Sequence, residues 1–178
     1  LSRGGQNQEE MDIQFWFIEG TPPRDVKDIR QIWRVDSRSY TQITNDDYFE
    51  PVDFAIDTSA KAYKIRSVIT GHGQEGEFIP RNHWINIDGG ATEFNWQVWM
   101  ECSENPVFPQ GGTWIYDRAG WCPGMPSMVQ EYDITDLVGS ASSVEIDYGL
   151  TTASGNSNYI VNNQLVTYGA PNFALDAR

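Results

Sequence analysis

Basic residues are scarce. Lys and Arg number 12 against 25 Asp and Glu in 178 residues, a formal net charge of -13. Such a surface repels a phosphate backbone unless a local basic patch outweighs the total. The densest basic stretch, Arg24 to Arg34, is interrupted by Asp25 and Asp28, so no nucleic-acid partner is expected. Long apolar runs are lacking too. None approaches the roughly 20 residues that span a bilayer, and the first residues do not follow the basic-then-apolar order of a signal peptide. No membrane partner is expected, and a chain starting at Leu1 is expected to have begun inside a longer precursor. Histidine is limited to His72 and His83. Neither has a partner at the short spacing of zinc or copper ligands, so no metal or other cofactor is expected. His83 alternates with Ile85 and Ile87 and reads as a core histidine.

Only two cysteines occur, Cys102 and Cys122, in a stretch rich in Gly, Pro and Trp. They are either buried free thiols or a disulfide. A disulfide over about 20 residues stabilises by roughly 3 kcal/mol on the chain-entropy model. It also implies an oxidising compartment, secreted or periplasmic, and it is the reading expected here.

Helical periodicity is the remaining absence; what is present has period two. Met11 to Ile18 begins as an alternation and ends as an apolar run. Further predicted strands are Val26 to Val35, Val52 to Ile56, Ala62 to Thr70, His83 to Asp88, Asn95 to Glu101, Met128 to Ile134, Val144 to Leu150 and Tyr159 to Thr167. Clusters of Gly, Pro, Asn, Asp and Ser separate them, as turns require. Many short strands with a high aromatic content predict an all-β antiparallel sandwich or jelly roll. Pro22 and Pro23 cannot donate to a strand ladder, which marks a boundary. Residues 1–20 then form a strand that cannot bury its own Trp16, Phe15 and Phe17. It is expected either to complete a sheet in a neighbouring domain or to join the main sandwich as an edge.

Chemistry-bearing residues gather in two places. Thr70 to Phe78, TGHGQEGEF, follows a predicted strand and sets His72, Glu75 and Glu77 among three glycines. Loops on rigid scaffolds carry binding and catalysis, and a Glu there suits a general base or a water-positioning group. The other use of such a loop is a solvated acidic turn. In Asn95 to Met100, alternation puts Trp96, Val98 and Met100 on one face and Trp99 on the other. Tryptophan serves both as a platform for the apolar face of a sugar and as core packing.

The second place is Trp114 to Met125, WIYDRAGWCPGM. It resembles the segment W-x-x-D-R-A-G-W-C-P-G-M of the bacterial peptide-N-glycosidase F family. Gly20-Thr21-Pro22, Ala62-Tyr63, Ile69-Thr70-Gly71, the set Glu77, Arg81, His83 and Ile85, Cys102-Ser103 and Asn105-Pro106 follow the family in the same order. The resemblance runs to about Met125 and weakens afterwards. It implies two adjacent eight-stranded antiparallel jelly rolls, similar in fold to copper-dependent peptide-amidating monooxygenases but working without a metal. The implied activity is hydrolysis of the amide joining N-acetylglucosamine to asparagine of an N-glycoprotein or glycopeptide.

On that resemblance, residues 1–20 are the last strand of an N-terminal jelly roll, 21–25 the linker and 26–178 a C-terminal jelly roll. The N-terminal domain, which carries the principal catalytic aspartate, is then the expected partner, and the chain alone is expected to be inactive. Glu77 matches the family's catalytic glutamate of the second domain. Arg118 and Trp121 match an arginine and a tryptophan near the cleft, and Cys102 with Cys122 matches a family disulfide. Asp117 is expected to pair locally with a cation or cap a turn. The sequence departs from the family at His72, which stands where the family has a tryptophan, and in lacking a cysteine pair around Glu77. Two other uses of the same features remain: a non-catalytic glycan- or partner-binding module, and a redox enzyme of the monooxygenase fold.

Overall fold

Strand formation follows the period-two pattern closely. A computed structural model describes residues 12–20, 22–90, 94–151 and 155–169. Among them run β1 (Val26–Gln31), β2 (Asp36–Ser39), α1 (Tyr40–Thr44), β3 (Val52–Ala55), β4 (Ala62–His72) and α2 (Gln74–Phe78). Then come β5 (Asn82–Ile87), β6 (Phe94–Gln97), β7 (Gln130–Asp133), α3 (Thr135–Val138), β8 (Ser143–Leu150) and β9 (Asn158–Tyr168). Every pairing is antiparallel. One sheet has the order β1-β9-β4-β7, with β2 also on β9, and the other has the order β3-β8-β5-β6.

The count differs from eight because one edge is broken. β1 pairs with β9 from Tyr168 to Gln164, and β2 pairs with the same strand from Val161 to Asn158. Between them Trp33 turns away from the edge and packs against Phe49 and Tyr148, with ring centroids 5.9 and 6.1 Å apart. The indole is drawn to the core, and the ladder breaks where it goes.

β4 shows how alternation builds the core. Tyr63, Ile65, Ser67, Ile69 and Gly71 are buried, while Lys64, Arg66, Val68, Thr70 and His72 are partly exposed. Ile65 and Ile69 join Ile85, Val144, Ile146, Val161 and Leu165 in one continuous apolar cluster. Within the core the buried Ser67 hydroxyl donates to Asn163 Oδ1 at 2.6 Å, while Asn163 Nδ2 and His83 Nε2 have no partner among the described residues. His83 is fully buried and bonds through Nδ1 to the Tyr148 hydroxyl at 2.8 Å, as a core histidine should.

Residues 12–20 take part in no strand, and Phe15, Trp16, Phe17 and Ile18 are 79–97% exposed. The expected strand over 1–20 has its first eleven residues outside the described ones, as is Thr21 of the expected linker. From Pro22 the chain returns to the sandwich. Arg24 bonds Glu131 on β7 at 2.9 Å, and Gly169 donates to the Asp25 carbonyl at 2.9 Å.

Candidate active site

The site grows from the end of β4. The strand runs two residues further than predicted, to His72, and the glycine-rich stretch after it folds into the single-turn helix α2 rather than an open loop. The turn lies tightly on the strand it leaves. A Cβ on Gly71 would stand 2.0 Å from the Gly76 carbonyl oxygen, so only glycine fits there.

A second segment, 117–121, is laced to this corner by its backbone. Arg118 exchanges two hydrogen bonds with Met100, of 2.8 and 3.1 Å. The Ala119 N–H donates to the Glu77 carbonyl at 3.0 Å, and the Gly71 N–H donates to the Ala119 carbonyl at 2.9 Å. Gly120 follows at φ 75°, where a Cβ would meet the Ile69 carbonyl oxygen at 2.0 Å. The disulfide between Cys102 and Cys122 closes the loop that carries this segment.

These backbone ties bring four predicted residues together. Arg118, 4% exposed, forms an ion pair through Nη1 with Glu77 Oε1. Its Nη2 donates to the Thr113 carbonyl and, at 3.0 Å, to the Thr113 hydroxyl. The guanidinium carbon lies 5.0 Å from the ring centre of Phe78 and 4.9 Å from that of Trp121. Desolvation of such a pair is offset by good geometry and further hydrogen bonds; the Thr113 oxygens supply two and the rings add cation–π contact, while Arg118 Nε is buried without a partner among the described residues. Glu77 Oε2 is left to accept from water or a ligand.

His72 completes the wall. Its ring stacks on Trp121 with centroids 5.7 Å apart, and Nε2 bonds to the Thr70 hydroxyl at 2.9 Å. Trp121 is anchored through its indole N–H to the Gly71 carbonyl at 3.0 Å. Burial lowers the His72 pKa, and the nearby Glu77 charge opposes that shift in part.

Among the described residues Asp117 forms no ion pair. Its Oδ1 accepts the Cys102 N–H at 3.1 Å, which ties the two ends of the disulfide-closed loop. Sequence reasoning missed Phe78 and Thr113, which hold the guanidinium, and the cleft beside them. That cleft, of about 680 Å³, is lined by Gln74, Phe78, Trp99, Thr113, Tyr116 and Asp117, with Ile115. β6 ends at Gln97, short of the predicted Glu101, and Trp96 and Trp99 both pack on the core, Trp99 also lining the cleft. Thr113 left no signal, because it acts largely through its backbone carbonyl. Among the described residues, no three His, Cys, Asp or Glu side chains are grouped so as to hold a metal ion. No described helix is long and apolar enough to cross a membrane.

Fold and site together define an antiparallel β-sandwich domain with a carboxylate–guanidinium pair beside an aromatic-walled cleft. Residues 39–166 match the family model described as peptide-N-glycosidase F, C terminal, and the chain belongs to that family. The peptide-N(4)-(N-acetyl-beta-D-glucosaminyl)asparagine amidase F of Elizabethkingia miricola is 34% identical over 110 residues, covering 54% of this chain and 30% of its own length. The solved structure of PNGase F, a glycosylasparaginase from Flavobacterium meningosepticum, has a TM-score of 0.66 at 22% identity, over 86% of this chain and 56% of that one. PNGF-II has a TM-score of 0.62 at 20% identity, over 83% of this chain and 30% of that one. The chain therefore spans between about a third and just over half of the relatives it matches.

Proposed function

We propose that this chain is the C-terminal domain of a secreted or periplasmic bacterial peptide-N-glycosidase, which hydrolyses the amide between N-acetylglucosamine and asparagine in N-glycoproteins or glycopeptides. The observation that carries the reading is the meeting of Glu77, Arg118, Trp121 and His72 at one end of the sandwich, within the segment that matches the family. The strand order supports reading the two sheets as a jelly roll, with β1 and β2 as its one broken strand. The disulfide supports an oxidising location.

Amide hydrolysis needs a positioned water, a stabilised tetrahedral oxyanion and a proton for the leaving nitrogen. Arg118 is held on both sides by protein groups, so its part is to orient the carboxylate rather than to reach substrate. Glu77 Oε2 then accepts from the attacking water or a substrate hydroxyl. The N-terminal jelly roll supplies the principal aspartate across the cleft. Water adds to the carbonyl carbon, the C–N bond breaks, and the nitrogen leaves with a proton as a glycosylamine.

Glu77→Gln, made in the full-length enzyme, is expected to lower glycan release from an N-glycopeptide by about 10²- to 10⁴-fold. Unchanged release would refute the role of Glu77. Retained glycan binding without cleavage by the unaltered full-length enzyme would turn the reading to a binding module.

A further inference from the structure

A second recess lies away from the Glu77–Arg118 corner and shares no lining residue with its cleft. It has a volume of about 330 Å³ and is walled by Trp33, Arg34, Asp47, Tyr48, Phe49 and Glu50. Its two partly exposed rings are fixed from behind. The Trp33 indole N–H donates to the Glu50 carbonyl at 2.8 Å. The Tyr48 ring lies 3.8 Å from the Arg38 guanidinium carbon, and Asp36 accepts from both Arg38 and the Tyr48 hydroxyl, at 2.5 and 3.4 Å. Beneath them Phe49, 2% exposed, makes edge contacts with Trp33, Tyr48 and Tyr148. Phe49 holds φ at 65° and Asp46 at 53°. Left-handed backbone at a bulky residue is costly and persists only where the surroundings enforce it.

Core packing accounts for Phe49, but it does not account for the rim. Arg34, Asp47 and Glu50 surround one small recess, carry both signs of charge, and have no side-chain partner among the described residues. We propose that this recess binds a neutral pyranose unit of a glycan, independently of the catalytic reading above. A sugar ring offers an apolar C–H face for the fixed Trp33 and Tyr48 rings. Its hydroxyls both donate to Asp47 and Glu50 and accept from Arg34. A phosphate would face two carboxylates, and a purely apolar ligand would leave three charged groups to be stripped of water.

The test is titration of the full 178-residue chain with chitotriose and with mannotriose, followed by amide and indole NMR shifts. One trisaccharide at least is expected to shift the Trp33 indole and amides over 46–52 in a saturable manner. The exposed rim double variant Asp47→Ala/Glu50→Ala is expected to weaken that binding by about tenfold or more, equivalent to about 1.4 kcal/mol, without altering thermal unfolding. Trp33→Ala touches the core and is replaced as a probe by Arg34→Ala, for which the same direction holds. Shifts confined to the cleft around Trp99 and Tyr116, shifts produced equally by inorganic phosphate, or no saturable shift with either sugar would each overturn the proposal. None of these outcomes depends on amide cleavage, so failure here is separable from failure of the Glu77 assignment.

Discussion

His83 and His72, the two histidines of the chain, differ in sequence surroundings and in use. His83 is enclosed by Tyr148, Tyr159 and Trp96, and burial drives its pKa down to about 3 from the ordinary 6.5. Above pH 6.5 the ring is neutral folded or unfolded, and the fold bears no penalty. Below it the unfolded chain takes a proton that the native state refuses. Stability is therefore expected to fall by about 1.4 kcal/mol per pH unit on acidification from 6.5 toward 3. Urea midpoints measured across that range should be less steep in His83→Gln than in the parent, and equal slopes would contradict this. The core place of His83 was legible from its alternation with Ile85 and Ile87. The contact of Glu77 with Arg118 was not, since 41 residues separate them. Only the family resemblance had assigned both to the cleft.

At the scale of elements, every strand but β2 overlaps a predicted one. β4 and β9 alternate over eight or more residues and β8 over six, enough for period two to stand out. β2 is four polar residues, Asp-Ser-Arg-Ser, held by its pairing with β9 rather than by any pattern of its own. α1 did leave a trace. Ser39 and Gln42 form a capping box, and S-x-x-Q is its sequence signature. The corner that builds the site rests on two local devices. Gly71→Ala is expected to cost about 3 kcal/mol, since the new methyl group would collide with rigid backbone. Thermal unfolding of the variant checks it, and an unchanged midpoint would mean that α2 moves freely. The Cys102→Ser/Cys122→Ser double variant should lose roughly 3 kcal/mol for a loop of 20 residues, read from urea unfolding. A loss near zero would mean that the Asp117 carboxylate and the Arg118 backbone bonds hold the loop unaided.

For the whole molecule, the sandwich is closed on itself while residues 12–20 stand out from it with their large apolar side chains in solvent. On the proposed function those side chains belong against the N-terminal jelly roll. The 178-residue chain alone is then expected to release no glycan from an N-glycopeptide. Mixing it with the N-terminal part of its enzyme should restore release, and measurable activity of the chain by itself would overturn the division of the site between two domains. The fold class was legible because strand alternation and turn chemistry recur along the whole length. The division between sheets was not, because every strand pairing except that of β5 with β6 joins segments far apart in the chain.

β9 carries a consequence for how the protein is made. Its eleven residues hydrogen-bond to β4 along one side and to β1 and β2 along the other. β1 and β2 thus have no strand neighbour until β9 has emerged, and β4 has only β7. The sheet that holds β9 is therefore completed only when that strand is made, whereas β3, β8, β5 and β6 can pair before it. A sheet that stays unlocked until β9 arrives leaves the edges of β1, β2 and β4 open to mispairing for as long as that strand is missing.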